Sequence, residues 1–302
     1  MQPTPCHHDI HGSDMFLAID IGNTQTTLGL IDGGEVIRRW RLKTDRNDTS
    51  DELHARLREF FHLRNLELSC VEAAAVASVV PILQNMWELA LTDALGRAPY
   101  IVRGSRDCCM TIAMPYPGQV GADRIANAVE ARDTYGAPSI VVDFGTCTNI
   151  DVVDGHAHYR GGCIAPGLML SASAMFSRAA KLASTPIEVP PAAIGDTTEH
   201  AIQAGLVLGV AAQVEGLVAR IKAQLADEAA AEVAKGYDER GAADDPQRER
   251  DMDAVRRETL ECPVIATGGL SRTIAAATDV FDAVDMDLTL RGVWRIWLHH
   301  QG

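Results

Sequence analysis

Three short segments carry residue types suited to phosphate chemistry. In the first, the apolar run Met15-Phe-Leu-Ala-Ile19 ends in Asp20-Ile-Gly-Asn-Thr24. An Asp at a strand end can hold a hydrated Mg²⁺, and the glycine after it lets a phosphate come close to the backbone. The plainer reading is an Asp capping a turn. The second segment repeats the first: Ser139-Ile-Val-Val142 runs into Asp143-Phe-Gly-Thr146. Two such loops facing each other can grip one polyphosphate and its cation from both sides, which points to nucleotide binding in a cleft. The third is Gly121-Ala-Asp123-Arg124 at an expected helix start. There Asp123 could take a proton from a substrate hydroxyl while Arg124 binds an anionic group. The competing account is an acid favoured by the helix dipole beside a surface arginine. Thr267-Gly268-Gly269 is a strand end suited to close approach by a nucleoside, or only a turn. No Walker loop and no Gly-x-Gly-x-x-Gly after a strand occurs, so P-loop and dinucleotide sites are disfavoured. Cys147 and Cys163 flank the second segment without an activating His, which suits small buried residues better than nucleophiles.

The elements that must position these groups can be read from the pattern. After the Asp20 loop come a β-rich run from Thr26 to Ile31, a hairpin turn at Asp32-Gly33-Gly34 and a strand from Glu35 to Leu42. Thr49-Ser-Asp-Glu52 opens an amphipathic helix with Leu53, Leu57, Phe60 and Phe61. A buried strand from Val71 to Val80, a helix from Pro81 to Leu95 and a strand from Tyr100 to Val102 follow. The Ala-rich helix after Gly121 runs to Tyr135, and Gly136-Ala-Pro138 breaks it. Asp143 lies 123 residues after Asp20, and Val152-Val-Asp-Gly155 lies 122 residues after Leu30-Ile-Asp-Gly33, the offset of a diverged duplication. The expected architecture is two similar α/β domains, 15–136 and 137–302, behind a flexible tail of 1–14. Gly161 to Gly167 reads as a tight loop opening a helix with Leu168 and Met175. Ala201 to Leu225 reads as a long helix whose Gly205, Gly209 and Gly216 pack against another backbone. The stretch 227–258 reads as a helix end plus a flexible charged excursion. Pro263 to Thr267 is the last core strand, and Leu288 to Leu298 a terminal helix.

With 27 Lys and Arg against 41 Asp and Glu, the 302-residue chain carries a net charge of −14. That balance argues against general nucleic-acid binding and polybasic membrane attachment. Five of those negative charges sit in 227–258, which holds 11 acidic and 6 basic residues. The seven cysteines, Cys6, Cys70, Cys108, Cys109, Cys147, Cys163 and Cys262, are odd in number and form no Cys-x-x-Cys, so a reducing compartment fits better than a disulfide framework. Cys6, His7, His8 and His11 could suggest a metal site, but an irregular tail does not order one. No apolar run is read as approaching the roughly 20 residues of a membrane helix, and the N-terminus lacks a signal peptide's regions. A cytoplasmic location is expected.

Seven motifs occur in order: Asp20-Ile-Gly-Asn-Thr, Trp40-Arg-Leu-Lys-Thr-Asp, Gly121-Ala-Asp-Arg, Asp143-Phe-Gly-Thr, Gly161-Gly-Cys-Ile-Ala-Pro-Gly, Ile194-Gly-Asp-Thr-Thr198 and Leu288-Thr-Leu-Arg-Gly292. Together they closely resemble the type III pantothenate kinases, from about Met15 to Leu298. The resemblance implies two duplicated ribonuclease H-like domains of the acetate and sugar kinase/actin-like superfamily. It implies transfer of the ATP γ-phosphoryl group to the terminal hydroxyl of pantothenate, the first step towards coenzyme A. Asp123 then matches the proton acceptor, with Gly121, Ala122 and Arg124 in the pantothenate segment and Thr198 a further pantothenate contact. Asp20, Ile21, Gly22, Asn23, Thr24, Gln25, Thr26 and Thr27 match the phosphate-binding loop, and Thr146 an ATP contact. Asp143 matches the ligand of a monovalent cation, K⁺ or NH₄⁺, while Asp20 could hold Mg²⁺ through water. The resemblance also implies a homodimer with the pantothenate pocket near its interface. Where many members have a substrate-contacting Tyr seven residues before Gly121, this sequence has Met114, with Tyr116 two positions later. A regulatory relative acting as an accessory transcription factor is the alternative, disfavoured by the acidic balance and by Asp20, Asp123 and Asp143 all being in place.

Overall fold

A computed structural model describes residues 15–104, 109–178 and 184–301. The expected tail of 1–14, with Cys6 and its histidines, and Cys108 lie outside the described residues. Contacts divide the chain into two units, one running through Arg103 and taking in the chain from Val293 onward, the other running from Gly104 to Gly292.

In the first unit, β1 (Met15–Ile21) is buried on both faces except at Asp20. It pairs antiparallel with β2 (Gln25–Asp32), which pairs with β3 (Glu35–Lys43) across the Gly33-Gly34 turn. On its other side β1 runs parallel to β4 (Val71–Ser78), and short β5 (Tyr100–Ile101) completes the order β3-β2-β1-β4-β5. Helix α1 (Ser50–His62) starts where expected. Thr49 accepts from the Glu52 N–H while the Glu52 carboxylate accepts from the Thr49 N–H, a reciprocal cap that leaves Leu53, Leu57 and Phe61 facing the core. Phe61 stacks on Trp40 with centroids 5.2 Å apart. Helix α2 (Pro81–Leu95) adds Leu83, Trp87 and Leu91 to the same core. Each such fully buried side chain contributes about 1.5–3 kcal/mol.

The second unit repeats the arrangement. After α3 (Ala122–Tyr135) come β6 (Ser139–Phe144), β7 (Cys147–Val153) and β8 (Tyr159–Pro166), antiparallel in turn, then β9 (Val264–Thr267) and β10 (Ala283–Val284), parallel to β6. The order β10-β9-β6-β7-β8, read from its other edge, is that of the first sheet. Register matches as well as order. Asp20 is opposite Thr27 on β2 and Ala77 on β4, and Asp143 is opposite Asn149 on β7 and Thr267 on β9. The two sheets thus share one topology and one register, as the expected duplication requires. Between β8 and β9 lie α4 (Leu168–Arg178), α5 (Thr198–Gln203), a π-helical turn (Ala204–Leu208), α6 (Gly209–Glu239) and α7 (Pro246–Leu260). Helix α8 (Ser271–Ala275) joins β9 to β10, and α9 (Leu288–His299) ends the fold. By contacts α3 goes with the second sheet, against β6 and β7, and the end of α9 with the first, where Trp297 meets Phe16 at 4.7 Å; the duplication reading instead divides the chain at 136.

Four expectations change. Residues 161–166 are strand, not a tight loop, because Gly162 pairs with Asp151, and at φ +152° a Cβ there would lie 1.7 Å from the Ile150 carbonyl oxygen. Gly205, Gly209 and Gly216 have no neighbour within 4 Å of where a Cβ would stand, so close backbone packing does not account for them. The charged stretch 227–258 is helical on both sides of a short turn. Asp245 caps α7 through the Gln247 N–H, Pro246 opens it, and buried Tyr237 donates to Asp251 at 2.6 Å. Lastly, the helical run Thr198–Glu239 contains an 18-residue window of mean hydropathy 1.6, long and apolar enough to cross a membrane. Half of that window is buried, with Val207, Ala211, Val214 and Val218 in the second core.

Candidate functional site

In the first unit, the turn after β1 is shaped by its glycine. The Gly22 N–H donates to the Gln25 carbonyl at 3.1 Å, and a Cβ on Gly22 would lie 2.9 Å from that oxygen. The end of β3 braces the turn from below. Thr44 donates through Oγ1 to the Gly22 carbonyl at 2.8 Å and through its N–H to the Thr24 carbonyl at 3.0 Å, and its hydroxyl lies 3.0 Å from that of Thr26. Thr26 is therefore engaged and buried, whereas Asn23, Thr24 and Gln25 are exposed at the tip. Arg46 donates to Asn23 Oδ1 at 3.3 Å. Such a braced turn can present backbone N–H groups to an anion.

The other Asp-x-Gly turn, in the second unit, is one residue tighter, with the Gly145 N–H donating to the Cys147 carbonyl at 3.0 Å. Thr146 is exposed on it, and Gly167 passes close beneath, where a Cβ would come 2.2 Å from the Thr146 carbonyl oxygen. Gly268, expected to leave room for a nucleoside, instead makes room for protein. At φ +88° a Cβ there would lie 2.4 Å from Asp143 Oδ1 and 2.7 Å from the Phe144 backbone nitrogen. Cys147 and Cys163 are half-buried, not buried as expected, and the five described cysteines form no disulfide among themselves.

Asp123 and Arg124 occupy the second and third positions of α3, whose cap, Gly121, supplies no side-chain bond. Asp123 fills that gap, its Oδ1 accepting the Arg124 N–H at 2.8 Å. The Arg124 guanidinium turns to β7. Nε and Nη2 donate to Asp151 Oδ1 at 2.8 and 2.7 Å, and the same oxygen accepts the Tyr159 hydroxyl at 2.7 Å. One helical turn after Asp123, Asn127 donates to Asp143 Oδ2 at 3.3 Å and accepts the Thr289 hydroxyl at 2.7 Å. Thus Asp123, Asp143 and Asp151 share one neighbourhood with a single guanidinium. Burial above all pushes the Asp143 carboxyl up to about 7, with the charges of Asp123 and Asp151 adding to it. Burial likewise lifts Asp151 to about 6 against the pull of Arg124 and Tyr159, and raises Asp123 despite the Arg124 N–H bond. Asp123 and Asp143 each keep a partial opening to solvent, as groups that meet ligands must. This uncompensated acid, with hard oxygen donors, suits a bound cation at Asp143.

The motif Leu288-Thr-Leu-Arg-Gly292 holds α3 in place. Arg291 bridges buried Glu130, at 2.7 Å, and Asp285, which also accepts the Tyr135 hydroxyl at 3.0 Å. A Cβ at Gly292 would come 2.0 Å from the Ala126 carbonyl oxygen. Thr198 lies apart from this cluster's hydrogen bonds, at the start of α5 after its cap Thr197, and lines an open apolar depression with Met175, Ala201, Ile202, Gly205 and Leu206. Met114 lies over Gly161, its Sδ 3.3 Å from where a Cβ would stand, while Tyr116 is 68% exposed. Sequence reasoning missed Asn127, Asp151 and Tyr159. The helical spacing from Asp123 could have found Asn127, but nothing local to β7 or β8 marks the other two.

The chain matches the type III pantothenate kinase family over residues 16–220. A protein of that name from Thermomicrobium roseum is 39% identical over 279 residues, covering 92% of this chain and 95% of its own. One from Moorella thermoacetica is 36% identical over 279 residues, with 92% and 97% covered, and one from Syntrophotalea carbinolica 36% identical over 289 residues, with 95% and 100% covered. A crystal structure described as a Baf family transcriptional activator from Campylobacter jejuni superposes with a TM-score of 0.54 at 15% identity, covering 94% of this chain and 98% of its own, a likeness of fold alone. With such identity over 92–95% of the chain, and with the Gly121-Ala-Asp123-Arg124 helix start built around a half-buried acid, the chain belongs to the type III pantothenate kinase family.

Proposed function

We propose that this chain phosphorylates pantothenate to 4′-phosphopantothenate with ATP, using Asp123 as general base. The observation that carries the role of Asp123 is its setting: a partly open carboxylate at the start of α3, made more basic by burial and held by the Arg124 N–H. Phosphoryl transfer asks little covalent chemistry of a protein, so positioning and charge neutralisation dominate. The pantothenate hydroxyl oxygen attacks the γ-phosphorus, ADP leaves, and Asp123 accepts the hydroxyl proton as the new bond forms. In the first unit, Asp20 to Thr27 form the phosphate loop, with an exposed tip at Asn23, Thr24 and Gln25. In the second, Thr146 contacts ATP, Gly121, Ala122, Arg124 and Thr198 contact pantothenate, and Arg124 binds its carboxylate. Asp143 would hold K⁺ or NH₄⁺ and Asp20 a hydrated Mg²⁺, cations that supply positive charge to offset the triphosphate.

The working form is a cytoplasmic homodimer without nucleic-acid or membrane partners. Exposed Ile164, Met169, Leu170 and Ile194 on the second unit support the dimer, and the net charge of −14 counts against DNA. The test is ADP release. Pantothenate should stimulate it with Mg²⁺ and K⁺ or ammonium present, and no stimulation over buffer would sink the assignment. Light scattering after size exclusion tests the dimer.

A further inference from the structure

Asp151 is wholly buried on β7, and one of its oxygens does all the visible work. Oδ1 accepts from Arg124 Nε, Arg124 Nη2 and the Tyr159 hydroxyl, while Oδ2 is buried with no hydrogen-bond partner among the described residues. For stability alone this is a poor arrangement, since a buried ion pair of this kind is often matched or bettered by apolar side chains. What it supplies is direction. Two donors on one edge of the guanidinium are pinned to a single oxygen, so the plane and the free Nη1 edge are fixed. Tyr159 is itself fixed, its N–H donating to the Thr111 carbonyl at 2.9 Å and its carbonyl accepting the Ala113 N–H at 2.8 Å. Its ring lies 5.9 Å from the Arg124 guanidinium carbon. Arg124 also joins this device to the base, since its own N–H holds Asp123.

We propose that Asp151 and Tyr159 are positioning residues that aim the Arg124 guanidinium at the substrate's carboxylate, and so set the preference for an acid over its neutral analogue. This rests on the reading of the site as a pantothenate kinase. The guanidinium has five N–H donors, and a planar carboxylate takes two of them side by side only if the fork is held in place. Without Asp151 the arginine can still reach the ligand but must be ordered on binding, so affinity for the acid falls while the chemical step, carried by Asp123, is kept.

The experiment measures binding to the full chain by calorimetry, with pantothenate and with the alcohol in which hydroxymethyl replaces the carboxylate. Asp151→Asn should weaken pantothenate at least about tenfold and the alcohol less than about twofold, with kcat and the KM for ATP held within about threefold. Tyr159→Phe should act in the same sense by about threefold, and it decides alone should Asp151→Asn not fold. Equal losses on both ligands, or none on either, would overturn the positioning role while wild-type turnover stands. Absence of pantothenate-dependent ADP release from the wild type would overturn the kinase reading and this inference with it.

Discussion

Asp143 should make the ligand-free chain lose stability as pH rises, and potassium should restore it. Its carboxyl keeps its proton to about 7 in the fold against an ordinary 3.8. Between those values the folded chain binds more protons than the unfolded one, so the derivative of unfolding free energy with pH is negative. The contribution is fully present below about 4, declines through neutrality and is gone above about 7. A shift of about three units at about 1.36 kcal/mol each makes the loss about 4 kcal/mol. About two of those three units fall between pH 5 and 7, and Asp123 and Asp151, which share the same field, take over part of the loss when Asp143 is replaced, so about 1–3 kcal/mol should be visible between pH 5 and 8.

The assay is urea unfolding of wild type and Asp143→Asn from pH 5 to 8 in choline chloride. The variant should gain on the wild type from pH 5 to about 7 and then level off, and the difference between the two cancels the titration of surface groups common to both. Replacing choline with K⁺ at equal ionic strength should stabilise the wild type at pH 8 and scarcely at pH 5, by about 2.7 kcal/mol when K⁺ reaches a hundred times its dissociation constant. Asp143→Asn should not respond. Parallel curves for the two proteins, or an equal response of both to K⁺, would refute the placing of an uncompensated charge at Asp143.

Asp123→Asn should lower kcat by about 10²–10⁴ and leave pantothenate binding within about threefold. Lost calorimetric binding with normal single-turnover rates would make Asp123 a binding residue instead of the base. Gly268→Ala places a Cβ 2.4 Å from Asp143 Oδ1 at φ +88°, so it should abolish most activity and destabilise by about 1–3 kcal/mol. A variant with wild-type rate and melting temperature would contradict that geometry. Tyr116, 68% exposed, should tolerate replacement by Ala with the pantothenate KM within about threefold, and a larger rise would give it a substrate contact.

The duplication was legible because both copies keep the same local order, an apolar strand, Asp-x-Gly, a β-rich run and an Asp-Gly turn, and each step has its own period or turn chemistry. Thr49 and Pro81 announced α1 and α2 for the same reason: caps are local. Where reading failed, partners distant in sequence decided the outcome. Gly161 and Gly162 looked like a loop, yet β7 supplies a strand partner whose backbone excludes a Cβ. The stretch 227–258 looked too charged to order, yet Tyr237, Asp245 and Asp251 are enough to close a helical pair. The site divides the same way. Asp20, Asp123 and Asp143 stood out as acids beside glycines or at a helix start. Asp151 carries no such local mark, and its partner Arg124 lies 27 residues away.

Net charge gives the wrong scale for judging how such a chain handles phosphate. The figure of −14 is spread over 302 residues, and five of those charges belong to the helical pair around Tyr237, far in sequence from any Asp-x-Gly loop. The local balance decides, and at the start of α3 it is three carboxylates against one guanidinium. Burial above all makes Asp143 hold its proton to about 7 although Asn127 donates to it, and Arg124, already paired with Asp151, does not dispel the added field of the other two acids. An anionic substrate entering such a site gains from positive charge beyond that of Arg124, which is already paired with Asp151. Replacing Asp143 with Asn would relieve the repulsion but also remove the group that draws a cation in. Activity should therefore fall in the same variant that gains stability at pH 8, a trade that a merely structural acid would not make.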